Sequence, residues 1–362
     1  MKMKFDRTVI DSHMHIYNWF SLDGQDFMSE IDAFKGKFGF KAINLCSIPV
    51  YASCDVSNNI LCAIYKLHDK NAYAHGGFVY PTLPATLPLP EGMDALTQYE
   101  ELMEIGFDGM KFIESKPQEY KALGLPFNNK FYAEFFDKVE KDGTSIVWHV
   151  ADPDSFWDRS KIPERFIERG WFYGDGTYPS LERVYGDVFE VLKKHPKLKV
   201  QFAHFFFWSE YPEKLEELFA KYENVSIDIV PGAEMYESFN ANYDFYRAFF
   251  KRYAGRIVFG TDVSFTASDP RYSMEHYSRL NREIYDAFTT DREVSVYTAK
   301  CKGLNLPGEV LDKLLYGNFI KAHSPEPKPI NKKALKKYIN KYEYLIKDEI
   351  MKKEILNYTE TL

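Results

Sequence analysis

Val9-Ile10-Asp11-Ser12-His13-Met14-His15 is a short apolar run that ends in two histidines two residues apart. In a β-strand, residues i and i+2 point to the same face. His13 and His15 are therefore expected to project side by side from one strand end, with Met14 turned the other way. Two parallel imidazoles on a rigid strand make half of a metal site. An isolated HxH also arises by chance in loops, so the rest of the chain decides whether the missing ligands exist.

Seven further strand-like runs follow: 41–48, stopped by Pro49; 73–80, stopped by Pro81; 109–113; 145–150; 199–205; 225–230, ended by Pro231-Gly232; and 256–262. Between them lie stretches of helical period, among them 129–141, 180–194, 213–222 and 242–253. Strands alternating with helices predict parallel βα units. Eight such units close a (β/α)8 TIM barrel, with an open doubly wound sheet as the alternative. The expected fold is α/β: a distorted TIM barrel over residues 1–323, with a long loop after strand 5, and a C-terminal helical extension over 324–362 packed on the barrel. The loop, 152–179, carries Phe156, Trp157, Phe166, Trp171, Phe172, Tyr173 and Tyr178. It is too aromatic to be disordered and should sit at the barrel's C-terminal mouth as a wall or lid. The lysine-rich tail, 332–362, reads as solvated helix on the outside.

Composition narrows the function. The chain has 362 residues and a formal charge of −7 with acids and bases mixed, so no nucleic-acid footprint is expected. Cys46, Cys54, Cys62 and Cys301 form no CxxC pair and read as reduced thiols of a cytoplasmic protein. No apolar segment of signal-peptide or membrane-spanning type is apparent.

Ionisable residues recur at the ends of strands one, five, six and eight: His13 and His15, His149, His204, and Asp262. Strand alternation places Val147 with His149, Val200 and Phe202 with His204, and Val258 and Gly260 with Asp262. The C-terminal strand ends of such a barrel build its active site. Four histidines and an aspartate converging there would be costly to desolvate without a cation, which favours a metal site over a satisfied polar core.

These residues resemble the amidohydrolase superfamily, and within it the amidohydrolase-related branch that includes aminocarboxymuconate-semialdehyde decarboxylase and dicarboxylate lactonases. The resemblance rests on His13-x-His15, His149, His204 and Gly260-Thr261-Asp262. It extends to His195-Pro196-Lys197-Leu198 leading into Phe202-Ala203-His204, to Asn224-Val225-Ser226-Ile227-Asp228, and to Leu315-Tyr316-Gly317-Asn318, covering about residues 8–323. It implies that His13, His15, His149 and Asp262 hold one divalent ion per chain, zinc by expectation and manganese as an alternative. It further implies that Asp262 accepts a proton from water and that His204 polarises the substrate carbonyl. Lys111 falls where some superfamily members carry a carboxylated lysine bridging two metals; it could instead pair with a substrate carboxylate or be an ordinary strand-end lysine. Asp228 is read as an acceptor behind a metal-binding histidine. Trp19, Trp157, Tyr173 and Glu234 are candidate substrate contacts near strand ends.

The function that follows is metal-dependent hydrolysis of a small amide, ester or lactone. The alternatives are a metal-dependent decarboxylase of the same branch, and a non-catalytic protein that binds metal or a small molecule. A small-molecule substrate and a homodimer are the expected partners, with no nucleic acid and no membrane.

Overall fold

The run that opens the sequence forms strand β1, Ile10–Ile16, buried along its whole length. In the computed structural model, residues 3–16, 26–51, 54–265 and 273–362 are described. After β1 come β2 (Ala42–Cys46), β3 (Ala72–Gly76), β4 (Gly109–Ser115), β5 (Ser145–Val150), β6 (Lys199–Phe202) and β7 (Val225–Asp228), each pairing in parallel with its predecessor. The eighth strand comes in two pieces. β8 (Ile257–Val258) pairs with β7, and β9 (Val263–Phe265) pairs with β1, so the single run 257–265 closes the sheet on itself. The sheet is thus the expected (β/α)8 barrel, and its distortion lies at this seam. There the Phe259 carbonyl accepts from Ser12, while Phe259 N–H turns away to the Leu314 carbonyl.

Strands buried on both faces read as continuous apolar runs, which is why the count was visible in the sequence. The same property hides which residues face inward. On β6 the expected inner face of Val200, Phe202 and His204 is overturned. Phe202 packs outward, 6.1 Å from Trp148 and 4.0 Å from Phe206 by ring centroids. Gln201 points inward instead and donates to Ser12 Oγ and to Asp228. On β1 the register shifts between Asp11 and Met14, and this irregularity lets Ser12 and His13 both reach interior partners.

Ile10, Ala42, Tyr73, Val258 and Phe319 close one end of the barrel. His75 of β3 lies buried beside this floor, its Nδ1 2.7 Å from Asn44 Oδ1 and its Nε2 3.1 Å from Nε2 of His323. Burial, reinforced by His323, holds His75 well below the ordinary histidine value, and burial holds His323 at about 4. The unfolded chain takes up these protons near its ordinary value of about 6.5, whereas the folded chain does not. Their contribution to stability is therefore complete above about pH 6.5 and is lost as pH falls toward 4. Each of the two should cost about 2 kcal/mol between pH 7.5 and 5, so urea midpoints should drop by the equivalent of about 4 kcal/mol, and His323→Leu should shrink the drop. Equal midpoints at the two pH values would contradict the assignment.

The loop 152–179 builds a satellite core, with Phe156, Ile162 and Tyr173 buried among Trp157, Phe166 and Trp171. Beyond the barrel, the helices Lys332–Tyr342 and Glu349–Glu360 lie against the outer layer. Lys341 bonds Glu101 at 2.7 Å, and Asn59 donates to the Tyr338 hydroxyl at 2.9 Å. A hairpin that the sequence did not suggest, Glu293–Val296 with Ala299–Lys302, rests near the helix Ala233–Ala241 through Lys302 N–H on Asn240. All four cysteines are free and buried, and no described helix is long and apolar enough to cross a membrane.

Candidate metal centre

His13 and His15 leave β1 toward the barrel mouth as the strand period requires. Each spends one ring nitrogen on a fixed acceptor. His13 Nδ1 donates to Asp228 Oδ2 at 3.0 Å, and His15 Nδ1 donates to the Cys46 carbonyl at 2.6 Å. In neutral rings these bonds leave the Nε2 lone pairs for coordination, and the two Nε2 atoms stand 3.2 Å apart. Asp262 joins them from the seam, its Oδ1 3.1 Å from His15 Nε2 and 3.8 Å from His13 Nε2. One donor atom from each of the three residues lies within 4.8 Å of the others. Asp262 holds a left-handed backbone (φ 56°), and its N–H donates to the His13 carbonyl, so the break in the eighth strand is what aims the carboxylate.

The electrostatics match a cation site. Burial, followed by the nearby Lys111, pushes His13 well below the ordinary histidine range. Burial opposes ionisation of Asp262, but the adjoining imidazoles of His15 and His13 outweigh it and hold the carboxyl far below the usual carboxylate value. Lys111 of β4 is buried, with Nζ 2.7 Å from His13 Nε2, and desolvation lowers its ammonium pKa. It therefore sits at the centre and not at a solvated strand end. The donor set of two imidazole nitrogens and a carboxylate, each imidazole braced by an oxygen acceptor, suits a divalent ion such as zinc or manganese.

His204 arrives by a route the sequence did not show. Residues His204, Phe205, Phe206 and Phe207 all adopt left-handed backbone, with φ of 55°, 55°, 60° and 53°. Each such non-glycine residue costs roughly 1 kcal/mol, and strain of this kind persists only where the surroundings over-determine it. Here His204 N–H donates to Asp228 Oδ1 at 2.8 Å, and Tyr185 donates to the Phe206 carbonyl at 2.9 Å. The turn brings the His204 ring to 6.0 Å from His13 and 4.8 Å from His149. Burial holds both His204 and His149 at about 4, so both are neutral at pH 7.

His149 stands at the end of β5 but outside the compact group of three. Its Nε2 lies 2.9 Å from the Ala151 carbonyl, which leaves the ring's lone pair on Nδ1. Asp228 is fully buried and serves four donors: His13, Gln201, His204 N–H and Val230 N–H. Tyr173 is enclosed, and its hydroxyl is used by Asp152 at 2.6 Å, so it meets the site through that carboxylate and not by lining the mouth. Trp157 is half-buried in the satellite core, with Nε1 on the Pro179 carbonyl. Glu234 opens the helix Ala233–Ala241, and burial pushes its carboxyl up to about 7. Trp19 lies outside the described residues.

Three groups escaped the sequence reading. Asp11, pushed up to about 7 by burial, accepts from Thr261 and from His13 N–H and so fastens β1 to the seam. Gln201 links β1 to β7. Lys116 holds Asp152 beside His149. Only an inward phase could have marked the first two, and apolar neighbours on both sides conceal it.

A sequence profile of the amidohydrolase family matches residues 68–321. The match leaves β1 outside, so the role of His13 and His15 is carried by geometry. No curated protein matches the sequence. Several solved structures share the fold. 2,6-Dihydroxybenzoate decarboxylase from Rhizobium aligns at 13% identity over 87% of this chain and 98% of its own, with a TM-score of 0.51. An uncharacterised TIM-barrel protein from Bordetella bronchiseptica gives 13%, 87%, 98% and 0.51 for the same measures. The IDCase of Metarhizium anisopliae in its apo form gives 12%, 88%, 97% and 0.51. At these identities the likeness is one of fold.

Proposed function

Because this chain belongs to the amidohydrolase family, we propose that it is a metal-dependent hydrolase acting on a small amide, ester or lactone. The observation that carries the reading is the convergence of His13, His15 and Asp262 within 4.8 Å, with both Nδ1 atoms already committed to oxygen acceptors. His13, His15 and Asp262 would hold the ion, with Nδ1 of His149 as a further donor. A divalent ion there supplies a Lewis acid that polarises a carbonyl and acidifies water. The protein's own groups do the rest. Asp262, ionised and about a third exposed, takes the proton of the attacking water and returns it to the leaving group. His204, neutral and beside the centre, faces the oxygen on which negative charge develops. Asp228 keeps His13 in the tautomer whose Nε2 can coordinate.

Lys111 favours a second reading. Its buried nitrogen at the centre is placed to receive a substrate carboxylate, which would suit decarboxylation of an acid. A substrate screen on zinc- and manganese-loaded protein separates the two, with lactones, esters, N-acyl compounds and aromatic acids tested and carbon dioxide release monitored. Hydrolysis without carbon dioxide supports the first reading, and carbon dioxide release replaces it with the second. Elemental analysis should find about one divalent ion per chain. About two would support a carboxylated Lys111, and none after metal supplementation would overturn both readings.

A further inference from the structure

We propose that Lys116, Asp152 and Tyr173 form a positioning clamp for His149, fixing which of its nitrogens faces the reaction. The inference rests on the metal-dependent reading above for its purpose, but not for its geometry. Three segments distant in sequence meet at one carboxylate. Lys116 follows directly after β4 and places Nζ 2.6 Å from both oxygens of Asp152. Tyr173, from the far end of the loop 152–179, donates to Asp152 Oδ2 at 2.6 Å. Asp152 itself lies three residues after His149, and its Oδ1 is 3.5 Å from His149 Nε2. All four side chains are more than nine-tenths buried.

The connection between Asp152 and His149 is bent by Ala151, a non-glycine residue at φ 63°. That bend turns the Ala151 carbonyl back onto His149 Nε2 at 2.9 Å. A carbonyl only accepts, so Nε2 carries the proton and Nδ1 the lone pair. The bend persists because Asp152 is gripped from two sides and because Ala151 N–H is held by the Ser115 carbonyl at 3.1 Å. A buried ion pair contributes little net stability, since desolvation offsets its attraction. What this one supplies is a fixed carboxylate next to an imidazole whose orientation matters. Lys116 also lies over the Trp171 ring at 4.9 Å, so the clamp ties the aromatic loop to the same histidine.

The test uses the full chain labelled with ¹⁵N-histidine, the His149 signals being assigned by their loss in His149→Gln. Wild-type protein should show protonated Nε2 and bare Nδ1 at His149 before any metal is added. Asp152→Asn should give a mixture of the two tautomers and weaken zinc binding, measured against a competing chelator, by about 10- to 100-fold. Tyr173→Phe, which removes one hydrogen bond and keeps the ring, should shift both measurements in the same direction by less, and it serves if Asp152→Asn does not fold. A wild-type tautomer and wild-type zinc affinity in both variants would overturn the proposal and leave the cluster as an anchor for the loop. Absence of zinc binding in the wild type would sink the functional reading, while the tautomer measurement would still decide on the clamp.

Discussion

Asp228→Asn should retain the fold and lose about 10- to 100-fold in zinc affinity, the usual effect of removing the acceptor behind a metal-binding histidine. The reason is the direction of one hydrogen bond. Asp228 Oδ2 accepts from His13 Nδ1 at 3.0 Å, which leaves the His13 lone pair on Nε2. An asparagine can keep one oxygen for His204 N–H and Val230 N–H, both served now by Oδ1. Its amide nitrogen then faces His13 and Gln201, both of which donate at present. The simplest relief is for His13 to accept at Nδ1 and move its proton to Nε2, which removes the lone pair from the centre. Asp228→Ala should behave differently. It strips the acceptor from several buried donors at once and should lower stability by about 3 kcal/mol in addition to weakening zinc binding. Chelator competition and urea melts on the two variants separate these effects. Wild-type zinc affinity in the asparagine variant would mean that Asp228 does not set the tautomer of His13.

Much of this arrangement could be read before any coordinates. The strand count was legible because barrel strands, covered on both faces, show up as apolar runs between Pro and Gly breaks. The pairing of His13 with His15 followed from a period of two, and Asp262 from its place at the end of the last run. What failed was phase. On β6, Gln201 faces inward and Phe202 outward, the reverse of the expected pattern, because residues on both faces are buried and polarity no longer reports direction. The left-handed turn at His204–Phe207 carries no glycine or asparagine to announce it, and it is imposed by tertiary contacts to Asp228 and Tyr185. Nothing local in the sequence marks Lys116, which simply follows a strand. Only the chain's return through Tyr173 reveals it as a buried partner of Asp152. Local rules thus located the ends of the strands, and long-range hydrogen bonds decided what stands there.

Asp262→Asn should lower kcat/KM by about 10³-fold, within the range that general base catalysis contributes, while zinc affinity falls much less. Asparagine is the informative replacement for three reasons. It keeps an oxygen that can remain near His15 Nε2, now 3.1 Å from Oδ1. It tolerates the left-handed backbone at φ 56° better than alanine would, so the seam between β8 and β9 should hold. It removes only the ability to take up a proton. Among the three converging residues Asp262 is the one that solvent reaches: its side chain is 32% exposed, against 0% for His13 and 5% for His15. A water or substrate entering from the mouth therefore meets this carboxylate before it meets the histidines. His15 and His13 hold Asp262 far below the usual carboxylate value despite its desolvation, so it is ionised across the working pH range. Any acid limb in the pH–rate profile must then come from other groups, and the limb should keep its position in the Asp262→Asn residual activity. Wild-type turnover in that variant would assign proton transfer elsewhere. An equal loss of turnover and of zinc affinity would reduce Asp262 to a ligand.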